Sequence, residues 1–492
     1  MTPVTRRQFL TGSAAAGVGL AVGFYLPHHG LHATKDEEWS PNAYLHIAPD
    51  NKITVVVARS EMGQGVRTSL PMILAEELDA DWSQIAIEQA GASTLFGDQT
   101  TGGSASVRTT WDPMRQAGAA AREMLVAAAA QMWKVKSEEC YTENSEVLHP
   151  ASGRRATYGK LASAAAKLPV PKEPKLKTPD QFRLVGKSLT RLDTPSKTDG
   201  TAEFGIDLRL EGTRQAVLAR CPAIGGKVSS FDDSETKKVP GVTAVLKIGD
   251  SAIAVVADSV WAAMQGRKAL KVTWDDGPNK DLDTAAVFES LKQGANGKSA
   301  PLYIAGDVTK ARGRVVKAEY ETPFLAHAPM EPGNCFAHYL GTSCKLWAPT
   351  QVPQDVRDSV ASTLGLKPEN VTVSVTLMGG GFGRRLEHDY AIEAALVSKA
   401  VNAPVKVTWT RDDDMKFSTY RPPSYHQLSA TLNAQGYPLA FSHRVVSPTI
   451  SGQKGLPVDA GVDHDLKDHA DIEFFCTNQT RRLKMLMLSN SV

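Results

Sequence analysis

β-Branched residues crowd positions 53–57 (Ile53, Thr54, Val55, Val56, Val57), and the run breaks at Glu61-Met62-Gly63-Gln64-Gly65. Apolar positions then recur at helical spacing over 67–78, and a second β-type run covers 85–88. The same order returns far downstream. Residues 371–377 alternate β-branched positions, Gly379-Gly380-Gly381-Phe382-Gly383-Arg384-Arg385 follows, a helix is expected over 387–401, and 405–410 reads as a strand. Between the two lies a third loop, Thr100-Thr101-Gly102-Gly103-Ser104-Ala105-Ser106. Asp112 and Pro113 form an N-cap and first-turn pair, which predicts an alanine-rich helix over 114–135.

Residues 169–180 alternate proline and lysine, a stiff and solvated composition that marks a linker over 169–182. Beyond it, short β-type runs at 215–219, 243–248, 252–257 and 270–274 alternate with turns such as Pro240-Gly241. A compact mixed domain is expected there, closed by a loop-rich stretch at 275–301. The chain is mixed α/β throughout.

At 492 residues the chain exceeds the ~250 to 300 at which a single core stops growing, so about three domains are expected. A composition of 42% hydrophobic and 22% charged residues is that of a packed globular protein. Fifty-five basic and fifty-three acidic side chains leave a charge of +2, which excludes the broad cationic surface that nucleic-acid binding requires. The five cysteines form no C-x-x-C pair, so any iron–sulfur cluster belongs to a partner.

Thr5-Arg6-Arg7-Gln8-Phe9-Leu10 places two arginines before an uncharged apolar run at 14–26. The run is shorter than the ~20 residues of a membrane span and reads as a twin-arginine export signal over 1–33, with Leu31-His32-Ala33 as the candidate cleavage segment. Such export carries folded proteins to the periplasm, there free or attached to the membrane.

A glycine turn between strand and helix lets backbone N–H groups approach an anion. Neither strand–loop–helix unit matches the dinucleotide fingerprint, and both Gly-Lys-Ser triplets (186–188 and 297–299) lack the upstream glycine of a P-loop. Three loops poor in acidic residues favour one large polyanionic cofactor held by backbone groups. Other candidates have simpler readings. His464 and His469 lie among aspartates in a solvated loop, Asp412-Asp413-Asp414 is a capped turn, and Ser104 and Ser106 sit in no nucleophile elbow.

Met62-Gly63-Gln64-Gly65 with Thr68, Ala75-Glu76-Glu77-Leu78, Thr350-Gln351 and the stretch from Met378 to Glu387 together resemble the molybdopterin-binding large subunits of the xanthine dehydrogenase and aldehyde oxidase family, in the motif order of the isoquinoline 1-oxidoreductase type. The resemblance covers about 40–450. It implies molybdenum-cofactor-binding segments at 40–168 and 301–450 flanking an α/β hammerhead-like domain at 183–300, with a further domain beginning at 451–492.

Residue by residue, it implies that Gly63, Gln64 and Gly65 contact the pterin and its phosphate, as do Thr101, Gly102, Gly103, Ser104 and Ser106. Gln351 would hydrogen-bond an oxygen ligand of molybdenum. Phe382 and Gly383 would pack and donate beside the metal, with Gly380, Gly381 and Arg384 also on the cofactor. Glu387 falls one residue from the place of a pocket carboxylate. His327-Ala328-Pro329-Met330-Glu331-Pro332 also looks familial, and its reading is a turn before a strand.

The implied cofactor is molybdopterin with molybdenum, either as such or as the cytosine dinucleotide. The implied chemistry hydroxylates an aldehyde or N-heterocycle with water as oxygen source and a glutamate as base. Electrons would pass to a small 2Fe-2S subunit and onward to a cytochrome c acceptor. The Gly-Glu-Pro segment that carries the family's glutamate does not occur. A truncated or split subunit is therefore expected, with a non-catalytic remnant lacking metal as the alternative.

Overall fold

In a computed structural model of the chain, the described residues are 20–24, 42–450 and 484–491. Helices and strands alternate through them, the mixed class expected from the sequence. The chain divides into two units, one made of residues 1–220, 228–273 and 328–414, the other of 221–227, 274–327 and 415–492. The expected export segment and the stretch 451–492 lie outside the described residues, apart from the backbones of two strands, Leu20–Phe24 and Lys484–Ser491.

In the first unit, Ile53–Val57 alternates buried and half-buried positions, the signature of a strand with one face on the core. It pairs antiparallel with Asn42–Ile47 and parallel with Ile85–Gln89, in a four-stranded sheet whose outer member is Leu20–Phe24. Helices Val66–Leu78 and Ala105–Trp133 pack on each other. Their closest approach is at Gly118, where an added Cβ would lie 2.3 Å from the Leu74 carbonyl oxygen.

The Ala105–Trp133 helix corrects the expected start at 114. It begins nine residues earlier, after Ser104 in the left-handed region at φ 53, and carries Pro113 inside. Pro113 removes one N–H from the ladder. Burial of Met114, Ala117, Ala120, Ala121, Met124 and Leu125 in the core outweighs that loss.

The same unit holds a seven-stranded sheet, in the order Val242–Ile248, Ala252–Ala257, Arg214–Arg220, Val405–Thr408, Asn334–Tyr339, Cys344–Ala348, Val371–Val375. The hammerhead-like domain expected at 183–300 supplies three of these strands, Arg214–Arg220, Val242–Ile248 and Ala252–Ala257. Its strands do not close on themselves, because Arg214–Arg220 runs parallel to Val405–Thr408 with Ala216 opposite Val407. All six residues of Ala252–Ala257 are buried, so this strand needs a neighbour on each edge and cover on both faces.

The proline–lysine segment expected as a linker is tied to the Val66–Leu78 helix and its cap. Glu76 Oε2 accepts the backbone N–H groups of Arg183, Leu184 and Val185 at 2.8, 2.6 and 3.0 Å, and Lys177 Nζ reaches Glu76 Oε1 and Asp79 Oδ1, each at 2.7 Å. Burial pushes the Glu76 carboxyl upward, but Lys177 and these amides hold it below the ordinary carboxylate range. Arg115 and Arg122 donate to the carbonyls of Lys177 and Lys175. The second unit is a five-stranded sheet, Ala300–Ala305, Lys484–Ser491, Pro438–Ser447, Ser424–Leu432 and Arg314–Thr322, with the helix Thr284–Gly294 packed on it through Leu291.

Gly118→Ala tests the helix packing. Alanine adds up to about 1 kcal/mol of helix propensity, yet its Cβ must displace backbone, so a net loss of about 1–3 kcal/mol is expected in chemical denaturation. A stabilised variant would show that the two helices are not held this closely.

Candidate functional site

The three loops singled out in the sequence meet in the first unit. Ser60 N donates to Thr101 Oγ1 at 2.8 Å, and Ser60 Oγ donates to the Thr350 carbonyl at 2.7 Å. Gln351, 2% exposed, joins the second loop to the third. Its Nε2 donates to the Thr101 carbonyl at 2.7 Å, and its Oε1 accepts Gly383 N at 3.1 Å. Its backbone exchanges with the same segments, as Thr101 N donates to Gln351 O at 2.9 Å and Gln351 N donates to Arg385 O at 3.0 Å. At Gly381, a Cβ would fall 2.5 Å from Met62 Sδ and 2.7 Å from Gln351 Oε1. Only glycine lets the first and third loops touch here.

Several expected contacts are engaged within the chain instead. The amides of Gly63 and Gly65 donate to Glu61 Oε1 at 2.9 and 3.0 Å, and Arg67 N donates to Glu61 Oε2 at 3.0 Å. Gln64 folds back on its own loop, its Oε1 accepting Met62 N at 2.8 Å and its Nε2 donating to Ser60 O at 2.9 Å. Arg384 is a correction to the expected cofactor contact. At 1% exposure its guanidinium makes a two-pronged pair with Asp389 at 3.0 and 2.8 Å and lies 5.0 Å from the Trp409 ring centroid. A cation removed from water needs such partners, and the 384 side chain finds them in the core. Its contribution to the loop is its backbone N–H, which donates to Gly381 O at 2.9 Å.

Other amides remain open. Gln64, Gly102, Gly103, Ser104, Gly380 and Gly381 have backbone N–H groups with no acceptor among the described residues. Gly103 and Ser104 are exposed at the N-terminus of the 29-residue helix, where its positive dipole end adds to their attraction for an anion, and Ser106 lies in its first turn. Phe382 holds a left-handed φ of 54° and is 54% exposed. A phenylalanine in that region is strained by about 1–3 kcal/mol, a cost that gathers at binding sites. Its ring lies over Gly380, where a Cβ would meet Cε2 at 2.8 Å. Glu387 is half-buried just after the short turn Arg384–Leu386.

Two carboxylates at the site escaped the sequence reading. Glu61 is one. The other is Glu331, 5% exposed, whose Oε2 accepts Gly379 N at 2.8 Å while its Oε1 accepts Ile206 N and Asn334 Nδ2 at 2.9 and 2.8 Å. The motif from His327 to Pro332 is thus a turn before the strand Asn334–Tyr339, and it also clamps the third loop. The only signal in the sequence is that each acid lies within two residues of a glycine or proline turn. Among the described residues, no three His, Cys, Asp or Glu side chains gather to hold a metal ion directly.

The arrangement is a cradle of backbone donors, closed on one side by buried side chains, with no proton-transfer group at its tips. It suits a large anionic group bound by main chain. Models of molybdopterin cofactor-binding domains match this chain at 5–206 and 295–450. The chain is 34% identical over 94% of its length to the membrane-bound aldehyde dehydrogenase (pyrroloquinoline-quinone) of Gluconacetobacter polyoxogenes, covering 64% of that protein. It is 31% identical over 83% of its length to the beta chain of isoquinoline 1-oxidoreductase from Brevundimonas diminuta, covering 59% of that protein.

Quinoline 2-oxidoreductase from Pseudomonas putida 86 aligns with 62% of this chain and 44% of its own at 19% identity and a TM-score of 0.46. Aldehyde oxidoreductase from Desulfovibrio gigas aligns with 68% of this chain and 42% of its own at 17% identity and a TM-score of 0.46.

A molybdopterin-binding protein is the class these domains define. The chain belongs to the xanthine dehydrogenase and aldehyde oxidase family, and it spans about three fifths of the length of the two curated relatives above.

Gln351→Leu keeps the volume and removes both polar ends, leaving Gly383 N–H and the Thr101 carbonyl buried without partners. A loss of about 2–5 kcal/mol in chemical denaturation is expected. A variant within about 1 kcal/mol of the parent would remove Gln351 as the link between the loops.

Proposed function

We propose that this chain is the molybdopterin-binding part of an exported molybdenum hydroxylase that oxidises an aldehyde or an N-heterocycle. The observation that carries the reading is the meeting of three separated loops at Gln351 and Gly381, with open amides around them. The residues fit the cofactor on two counts. The amides of 102–104 are open at a helix N-terminus, and the buried amides of Gly380 and Gly381 have no acceptor among the described residues, so both sets are free for an anionic partner. When bound, the cofactor would supply hydroxylation of an electron-poor carbon with oxygen from water.

The chain's own residues would do the holding. The amides of Gly102, Gly103 and Ser104, with Ser106 behind them, would grip an anionic part of the cofactor. Gly380 and Gly381 would donate from the facing loop. Gln351 would set the distance between the two, and Phe382 would cover the open side. The loop tips at 62–65, 102–106 and 379–383 carry no carboxylate or imidazole, so we assign them binding and orientation rather than proton transfer.

The names of the relatives, an aldehyde dehydrogenase, an isoquinoline 1-oxidoreductase and a nicotinate dehydrogenase of Pseudomonas putida, support the two substrate classes. The cysteine pattern supports a separate 2Fe-2S protein as electron acceptor, with a cytochrome c beyond it. Arg6 and Arg7 before the apolar run support periplasmic delivery, with the cofactor either as molybdopterin or as its cytosine dinucleotide.

Protein purified from a molybdenum-replete host that exports it should contain molybdenum and pterin phosphate in near-equal amounts to polypeptide. A folded, metal-free protein from that host would defeat the reading. Arg6→Lys combined with Arg7→Lys should leave the protein in the cytoplasm, as followed by cell fractionation, and undiminished export would remove the signal.

A further inference from the structure

Glu61 occupies a place where a bound anion is ordinarily found. It precedes the Val66–Leu78 helix, whose cap residue Gly65 stands at φ 87 and offers no side chain of its own. The carboxylate, 2% exposed, receives the amides of Gly63, Gly65 and Arg67, so an anion sits in a nest of N–H groups at a positive helix end. Arg191 completes the shell. Its Nη2 lies 3.1 Å from Glu61 Oε1, and its Nη1 donates to the Gly63 carbonyl at 3.0 Å.

Lys197 Nζ stands 3.7 Å from the same carboxylate oxygen. Asp193, the acid facing both cations, is bonded to Arg191 at 3.1 Å and to Lys197. Burial pushes its carboxyl up, yet these two partners hold it down at about 2, so Asp193 stays ionised and keeps the cations in place.

We propose that Glu61 is a positioning residue, a built-in anion that latches the first glycine loop so that Met62 is presented to Gly381 without any bound phosphate at Gly63 or Gly65. The part of this that concerns the cofactor rests on the molybdopterin reading. It changes which groups of the loop are on offer. The amides of Gly63 and Gly65 are spent, whereas the Gln64 amide between them has no acceptor among the described residues. The carboxylate supplies the charge that the nest requires, and segment 191–197 braces it from outside, with Leu192 N donating to Thr68 Oγ1 at 3.0 Å.

Residue-resolved hydrogen–deuterium exchange on the full, cofactor-free chain tests the latch. The amides of Gly63, Gly65 and Arg67 should exchange about tenfold or more slowly than that of Gln64, the size expected of a charge-assisted bond. In Glu61→Ala this protection should vanish and return in part with millimolar formate but not with chloride. The amides of Arg183, Leu184 and Val185 on Glu76 should not change. Uniformly fast exchange in the parent, or protection that survives Glu61→Ala without formate, overturns the proposal.

Should Glu61→Ala fail to fold, Arg191→Gln, at a side chain 36% exposed, takes its place. Faster exchange at Gly63 and Gly65 is then expected, and unchanged exchange overturns the latch. Pterin content separates the two readings. A chain that shows the alternating protection but never takes up pterin keeps the latch and loses the cofactor, whereas Glu61→Ala protein that loads pterin fully overturns the positioning role.

Discussion

Gln351 sits where two loops far apart in the chain must each satisfy a buried backbone group of opposite kind, a carbonyl at Thr101 and an N–H at Gly383. Neither loop belongs to a ladder that could supply the partner. A carboxamide is the side chain that presents a donor and an acceptor on one planar head, so a single residue answers both needs. The requirement spreads outward. Oε1 is held so close to Gly381 that a Cβ there would lie 2.7 Å from it, and Met62 closes the remaining side, so both the glycine and the first loop's position follow from where the carboxamide is fixed.

The same principle runs through the rest of the first unit. Irregular backbone that is buried must find partners, and where no strand or helix continues to offer them, carboxylates do so. Glu61 takes three amides of the first loop, Glu331 takes Gly379 and Ile206, and Glu76 takes three successive amides of 183–185. A carboxylate can accept about four bonds, and its charge strengthens each of them. Burying that charge is costly by itself, so cations accompany it: Arg191 and Lys197 beside Glu61, Lys177 beside Glu76. The loops are therefore ordered by electrostatics internal to the chain, and the amides left over are the ones open to a further acceptor.

How much of this the sequence disclosed depends on the range of the interaction. The strand before each glycine loop was legible because β-branched runs and their alternation are local signals, and Ile53–Val57 and Val371–Val375 lie where those signals placed them. The convergence of Thr101, Gln351 and Gly383 was legible only through family resemblance, since no local pattern joins positions 101, 351 and 383. The start of the long helix was misread because Asp112-Pro113 is a strong local start signal, and tertiary burial along one face carried the helix through it. The pairing of Arg214–Arg220 with Val405–Thr408 was out of reach for a related reason, since it is a long-range contact that composition does not encode. Arg384 was placed on the cofactor by family resemblance alone. Its partner Asp389 stands five residues on, and only the turn between them brings the two together.

Arg384 and Arg385 also account for the strain at the tip of the third loop. Two adjacent guanidinium groups in a core repel each other and lose hydration, so each must be matched. Arg384 has Asp389, while Arg385 donates to the carbonyls of Glu331 and Pro332 at 2.7 and 3.0 Å and lies 5.0 Å from the Tyr390 ring centroid. These matches anchor the C-terminal end of the loop as firmly as Glu331 anchors Gly379 at its start. With both ends fixed, the residues between them must turn sharply, and Gly380 and Gly383 take left-handed angles at little cost. Phe382 takes one at a real cost, and the turn leaves its ring outside, over Gly380. The exposed aromatic is thus a consequence of the buried charges, and any group seated on the open amides of Gly380 and Gly381 meets it as a ready-made apolar wall.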